Sequence, residues 1–128
     1  MSPLHHRAPP ALAVLLLVAS LAACGGGGNE SGPPDAIQLS DDSVKVTSAT
    51  EQCYIGQGPT VYIYGGQPPY KLYNSVPLAM GLDKASVSDS GGSFTVFLNG
   101  VCLDDVTVTI EDDMGRLATL FVTNEPGL

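Results

Sequence analysis

The sequence predicts an all-β domain, a sandwich of seven to eight short strands, and three observations carry the expectation. Apolar and polar residues alternate over short stretches, as half-buried strands require. Clusters of Gly, Pro, Asn and Asp punctuate the chain about every 8–12 residues, the turn spacing of a sandwich. No segment holds a helical apolar period for a useful length.

The strands are expected, in order, at residues 36–39, 44–47, 52–55 leading into 60–64, 70–74, 85–88, 93–98, 105–111 and 116–123. Asp41 and Asp42 separate the first two. The bend Gly65-Gly66-Gln67-Pro68-Pro69 divides the third from the fourth. Glycine reaches positive φ there and proline fixes φ, so the chain turns sharply between sheets. Tyr70 then opens a strand and is expected to plug the end of the core. Residues 78–82 fit either a short strand or one turn. Gly91-Gly92 precede the strand beginning at Ser93, and Asn99-Gly100 close it. Gly115, in "DDMGR", suits the left-handed position of a hairpin loop between the last two strands.

Ahead of this domain lies a different composition. Arg7, with His5 and His6, gives a weakly basic start, and residues 11–23, "ALAVLLLVASLAA", form an uncharged apolar run. A membrane-spanning helix needs about 20 apolar residues, so the run is shorter than a span. It has the length of a secretory signal core closed by small residues. Leu21-Ala22-Ala23-Cys24 resembles a bacterial lipobox. The resemblance implies lipidation of the Cys24 thiol, cleavage before it, and a lipid anchor in the cell envelope. Each buried lipid CH₂ contributes about 0.8 kcal/mol, so two or three chains hold firmly. Gly25 stands where enteric lipoproteins retained at the inner membrane carry aspartate, which favours the outer membrane where there is one. The chain thus divides into a signal peptide (1–23), a lipidated Gly-rich tether (24–35) and a sandwich (36–128).

From Cys24 onward four basic side chains, Lys45, Lys71, Lys84 and Arg116, face thirteen acidic ones, a net charge of −9. Nucleic-acid binding needs clustered Lys and Arg, so that class is excluded. The same balance disfavours lying flat on anionic lipid. His5 and His6 fall in the signal, so the exported part lacks the base of a Ser-His-Asp or Cys-His site. Cys53 and Cys102 lie 49 positions apart, and an exported pair of cysteines points to a structural disulfide. Acidic turns at Asp41-Asp42, Asp104-Asp105 and Glu111-Asp112-Asp113 lack EF-hand spacing. Calcium is weighed against simple solvation there, and solvation is preferred; no cofactor is expected beyond the lipid on Cys24.

"YGGQPPYKLYN", "SGGSFTV" and "VTVTIEDDMGRLATLFVTN" together resemble bacterial immunoglobulin-like domains. The matching positions are Gly65, Gly66, Pro68, Pro69, Tyr70, Gly91, Gly92, Phe94, Asp112, Gly115 and Arg116, and Leu117 and Phe121 depart from the pattern. The resemblance implies an immunoglobulin-like sandwich and no catalytic residues. In that fold Cys53 and Cys102 fall in turns at one end.

Alternation sends Val61, Ile63, Phe94, Val96 and Leu98 inward. Tyr62, Tyr64 and Phe97 then face outward on two strands that neighbour each other in the implied fold, a candidate interface. Plain cross-strand pairing is the competing explanation for these rings. The expected function is a non-catalytic binding or structural module, anchored to the membrane, with an unidentified protein or glycan partner. The alternatives are an accessory subunit of an envelope assembly and a small glycan-acting enzyme using paired carboxylates.

Overall fold

A computed structural model describes residues 33–128; the expected signal peptide, the expected lipidation site Cys24 and residues 25–32 of the expected tether lie outside the described residues. Nine strands form two sheets: β1 (Ile37–Leu39), β2 (Ser43–Thr47), β3 (Ile55–Gly65), β4 (Tyr70–Asn74), β5 (Met80–Leu82), β6 (Ser86–Val87), β7 (Ser93–Asn99), β8 (Leu103–Glu111) and β9 (Leu117–Glu125). One sheet runs β1-β3-β7-β5 and the other β2-β9-β8-β4-β6. The all-β sandwich expected from alternation is the fold observed.

The strands bury alternate residues because the side-chain period is two. The first sheet sends Val61, Ile63, Met80, Phe94, Val96 and Leu98 inward. The second answers with Val44, Tyr70, Leu72, Val87, Val108, Ile110, Leu120 and Val122. Together they make one core. Each such side chain stabilises by about 1.5–3 kcal/mol relative to exposure.

The sequence divides the third strand after residue 55, leaves residues 78–82 open between strand and turn, and does not assign the pairing of the opening segment; the structure decides all three. The third strand is continuous through Gly56 to Pro59, with a bulge between Gln57 and Thr60 opposite β7. Gly58 sits in that bulge, and a Cβ there would lie 2.9 Å from the Val96 carbonyl oxygen. Residues 80–82 form a ninth strand, because β7 offers them a free edge. The opening segment splits between sheets: β1 pairs antiparallel with β3, while β2 pairs parallel with β9.

Candidate functional site

Three sequence motifs meet at one end of the sandwich. At the end of β3, Gly65 and Gly66 adopt φ of 78° and 59°, and Pro68–Pro69 is cis. A Cβ on Gly66 would lie 2.7 Å from Asp112 Oδ2, so the missing side chain admits the carboxylate. Asp112 belongs to the β8–β9 hairpin and is 4% exposed. Its Oδ2 accepts the Gln67 N–H at 2.9 Å and Arg116 Nε at 2.9 Å. Its Oδ1 accepts the Met114 and Arg116 N–H groups at 3.0 and 2.8 Å. In return the Asp113 N–H donates to the Gln67 carbonyl at 2.7 Å. The carboxylate therefore ties the β3–β4 bend to the last hairpin.

Tyr70 completes this end. It is fully buried, as the sequence predicts, and its hydroxyl donates to the Gly65 carbonyl at 2.5 Å. Burial raises its pKa, opposed by the Ser90 hydroxyl and reinforced by the Asp112 charge. The phenol therefore stays a donor. The third motif docks alongside: Gly91 N–H donates to the Ile63 carbonyl, Ile63 N–H to Gly92, and Gly65 N–H to Ser90 Oγ.

Burial pushes the Asp112 carboxyl up, but the bonds from Gln67, Arg116 and Met114 outweigh it and hold the pKa at about 2, below the ordinary 3.8. A carboxylate whose pKa falls on folding stabilises the fold fully above its unfolded value. That contribution is lost as pH drops from 3.8 through about 2. Asn cannot accept all four N–H bonds and has no charge to titrate. Asp112→Asn is therefore less stable than the parent at neutral pH, and the two melting curves converge as pH falls through that window. Thermal melts against pH check this; parallel curves would refute it.

Cys53 and Cys102 lie at the opposite end and are joined, with Cα atoms 5.3 Å apart. The bridge links the segment before β3 to the turn between β7 and β8, as the sequence expectation has it. Beside it lies a residue that sequence reasoning missed. Asn124, on β9, is 1% exposed. Its Oδ1 accepts the Tyr54 N–H at 3.0 Å, and its Nδ2 donates to the Tyr54 and Val101 carbonyls, each at 3.1 Å. Tyr54 follows one cysteine and Val101 precedes the other, so the amide and the disulfide close the same gap. Its only signal in the sequence is parity: Leu120 and Val122 point inward, so 124 does too.

The three candidate interface rings lie on neighbouring strands of the first sheet. Tyr62 is 44% exposed, Phe97 is 40% exposed and Tyr64 is half-buried. They do not form one patch. Tyr62 stands opposite Ser93, whereas Phe97 stands opposite Gln57. The offset of four positions along β7 is about 13 Å. Thr60 and Thr95 fill the gap, with their hydroxyls 2.8 Å apart. Tyr64 faces Gln38 across β1 and borders a depression of about 490 Å³ lined also by Ile37, Leu39, Ser40 and Asp42.

The outer face of the second sheet differs in character. Tyr73, Leu117 and Phe121 are exposed there, among Lys71, Glu111 and Lys45. Tyr73 donates to Glu111 at 2.9 Å. Among the described residues, no group of three His, Cys, Asp or Glu side chains is placed to hold a metal. Both oxygens of Asp112, one of the acids weighed for calcium, accept N–H donors. The chain is thus defined as a disulfide-closed β-sandwich. No family model, curated protein or solved structure matches it.

Proposed function

We propose that this chain is a lipid-anchored protein of the bacterial cell envelope whose immunoglobulin-like domain is a non-catalytic binding or structural module. The observation that carries the reading is the pairing of Cys53 with Cys102. A disulfide is at home in an exported protein. It also engages two of the three cysteines and leaves Cys24, at the lipobox-like stretch, for the lipid. The immunoglobulin-like part is supported by strand order. The sequence β1-β3-β7-β5 corresponds to the A-B-E-D sheet of that architecture, and β9-β8-β4 to G-F-C. The non-catalytic part is supported by the bend end, where the acidic group of the hairpin is spent on backbone donors and Arg116. The exposed rings Tyr62 and Phe97, with the half-buried Tyr64, supply the binding surface.

One experiment tests both halves: crosslinking in intact cells, followed by mass spectrometry of the recovered protein. The N-terminal peptide is expected to begin at a lipidated Cys24, and Cys24→Ser to leave an uncleaved precursor. An unmodified terminus elsewhere would defeat the anchor. A specific crosslinked partner is expected to disappear from the Tyr64→Thr, Phe97→Thr variant while its melting temperature stays close to that of the parent. A large fall in melting temperature would instead mark the rings as sheet supports.

A further inference from the structure

The outward strand positions of the first sheet carry no charged side chain, on a domain that is otherwise strongly acidic; charge lies at their borders. Its outward positions are Gln38 on β1, Ile55, Gln57, Thr60, Tyr62 and Tyr64 on β3, Ser93, Thr95, Phe97 and Asn99 on β7, and Gly81 on β5. None of these is Asp, Glu, Lys, Arg or His. Asp83 and Lys84 follow β5 and lie side by side along the edge of β7, where the Asp83 carboxylate accepts the Thr95 N–H at 2.7 Å and the Lys84 ammonium donates to the Ser93 carbonyl, so the two charges offset each other. By contrast, the second sheet's outer face carries Lys45, Lys71 and Glu111.

The rings are arranged as separate stations. Tyr64 and Tyr62 occupy one end, and Phe97 the other, with the Thr60–Thr95 hydroxyl pair between them. The whole track spans about 20 Å. A protein interface concentrates its apolar residues in a continuous dry centre ringed by polar groups. Here the order is reversed, with hydroxyls at the centre and rings at the ends. Gly81, opposite Phe97, leaves open space beside that ring: a Cβ at Gly81 would meet only the Phe97 Cβ, at 3.7 Å.

We infer that this face binds an uncharged, extended polysaccharide, whose sugar rings lie on Tyr64, Tyr62 and Phe97 and whose hydroxyls meet the Thr60–Thr95 row. The proposal rests on the binding-module reading and names its ligand. Aromatic faces carry negative charge density and attract the polarised C–H groups of a pyranose. Threonine, serine and glutamine side chains exchange hydrogen bonds with sugar hydroxyls on equal terms. The surrounding acidic surface repels anionic polymers. The outward side chains of the track offer a cationic one no carboxylate of their own, and of the two at its borders, Asp42 and Asp83, the second is already held by the Thr95 N–H.

The test is calorimetric titration of the full mature protein, held in a detergent without a sugar headgroup. The probes are cellohexaose, laminarihexaose, chitohexaose and maltohexaose, with oligogalacturonate as the anionic control. At least one neutral hexasaccharide is expected to bind saturably, and added salt is expected to leave that binding unchanged. Tyr62→Thr and Phe97→Thr each weaken it about tenfold. Tyr73→Thr, on the other sheet, leaves it intact, and melting curves verify that each variant is folded. No saturable binding to any neutral probe overturns the inference. So does binding that survives both substitutions, or tighter binding of oligogalacturonate. A dimer in sedimentation that these substitutions dissociate also overturns it, in favour of a second copy of the chain. If no sugar binds while the intact-cell crosslink is still lost in the Tyr64→Thr, Phe97→Thr variant, the polysaccharide fails and the binding module stands.

Discussion

Cys53→Ala combined with Cys102→Ala is expected to lower the stability of the folded domain by about 4 kcal/mol. The two residues are 49 apart in sequence, and the crosslink removes that loop's freedom from the unfolded chain. For a domain of this size the loss corresponds to a fall in melting temperature of about 20 °C. The effect lies chiefly in the unfolded ensemble, so the native fold is retained. Urea unfolding with and without reductant measures it. The midpoint is expected to fall and the slope to rise, because the uncrosslinked chain exposes more surface. An unchanged midpoint on reduction would show that the bridge adds nothing to stability.

Asn124→Leu is expected to cost about 3 kcal/mol, although leucine is similar in size and apolar. The reason is what the amide leaves behind. The part-buried Tyr54 N–H loses its acceptor, the Val101 carbonyl loses this donor, and the Tyr54 carbonyl is left with the Gly100 N–H. Asn124 is also where the second sheet grips the two segments that the disulfide joins. The two losses are therefore coupled. Once the bridge is gone, the segment before β3 and the turn before β8 are held by the amide and by the Gly100 N–H, which donates to the Tyr54 carbonyl at 3.1 Å. A double-mutant cycle across Asn124→Leu and the paired Cys→Ala changes is expected to depart from additivity by about 1 kcal/mol. Additive energies would mean that the two devices act independently.

Much of this molecule was legible from strand periodicity. Val61, Ile63, Phe94, Val96 and Leu98 are buried where alternation sends them, and Tyr62 and Phe97 are exposed. The reason is physical: a one-residue slip would exchange core for solvent along a whole strand, so pattern and register determine each other. The pairing of Cys53 with Cys102 was legible because compartment and turn position agreed. Gly65-Gly66 and Gly115 were legible because positive φ narrows the choice of residue.

What the sequence left open depends on contacts distant in the chain. Gly56 to Pro59 resembles a break, yet β7 runs past it and holds it as a bulge. Residues 80–82 became a strand because an edge of β7 was available to pair with them. The division of β1 and β2 between sheets follows from which neighbour each one meets, not from their own composition. Asp112 looked like one more solvated acid of a turn. Its own hairpin supplies Met114 and Arg116 as donors, and the approach of Gln67, 45 residues earlier, closes the bend over it. Asn124 had no chemical signature at all, since its partners lie 70 and 23 residues away. The spacing of the rings was likewise decided in three dimensions. Alternation sets which way a side chain faces, whereas the bulge and the pairing register set how far Tyr62 stands from Phe97.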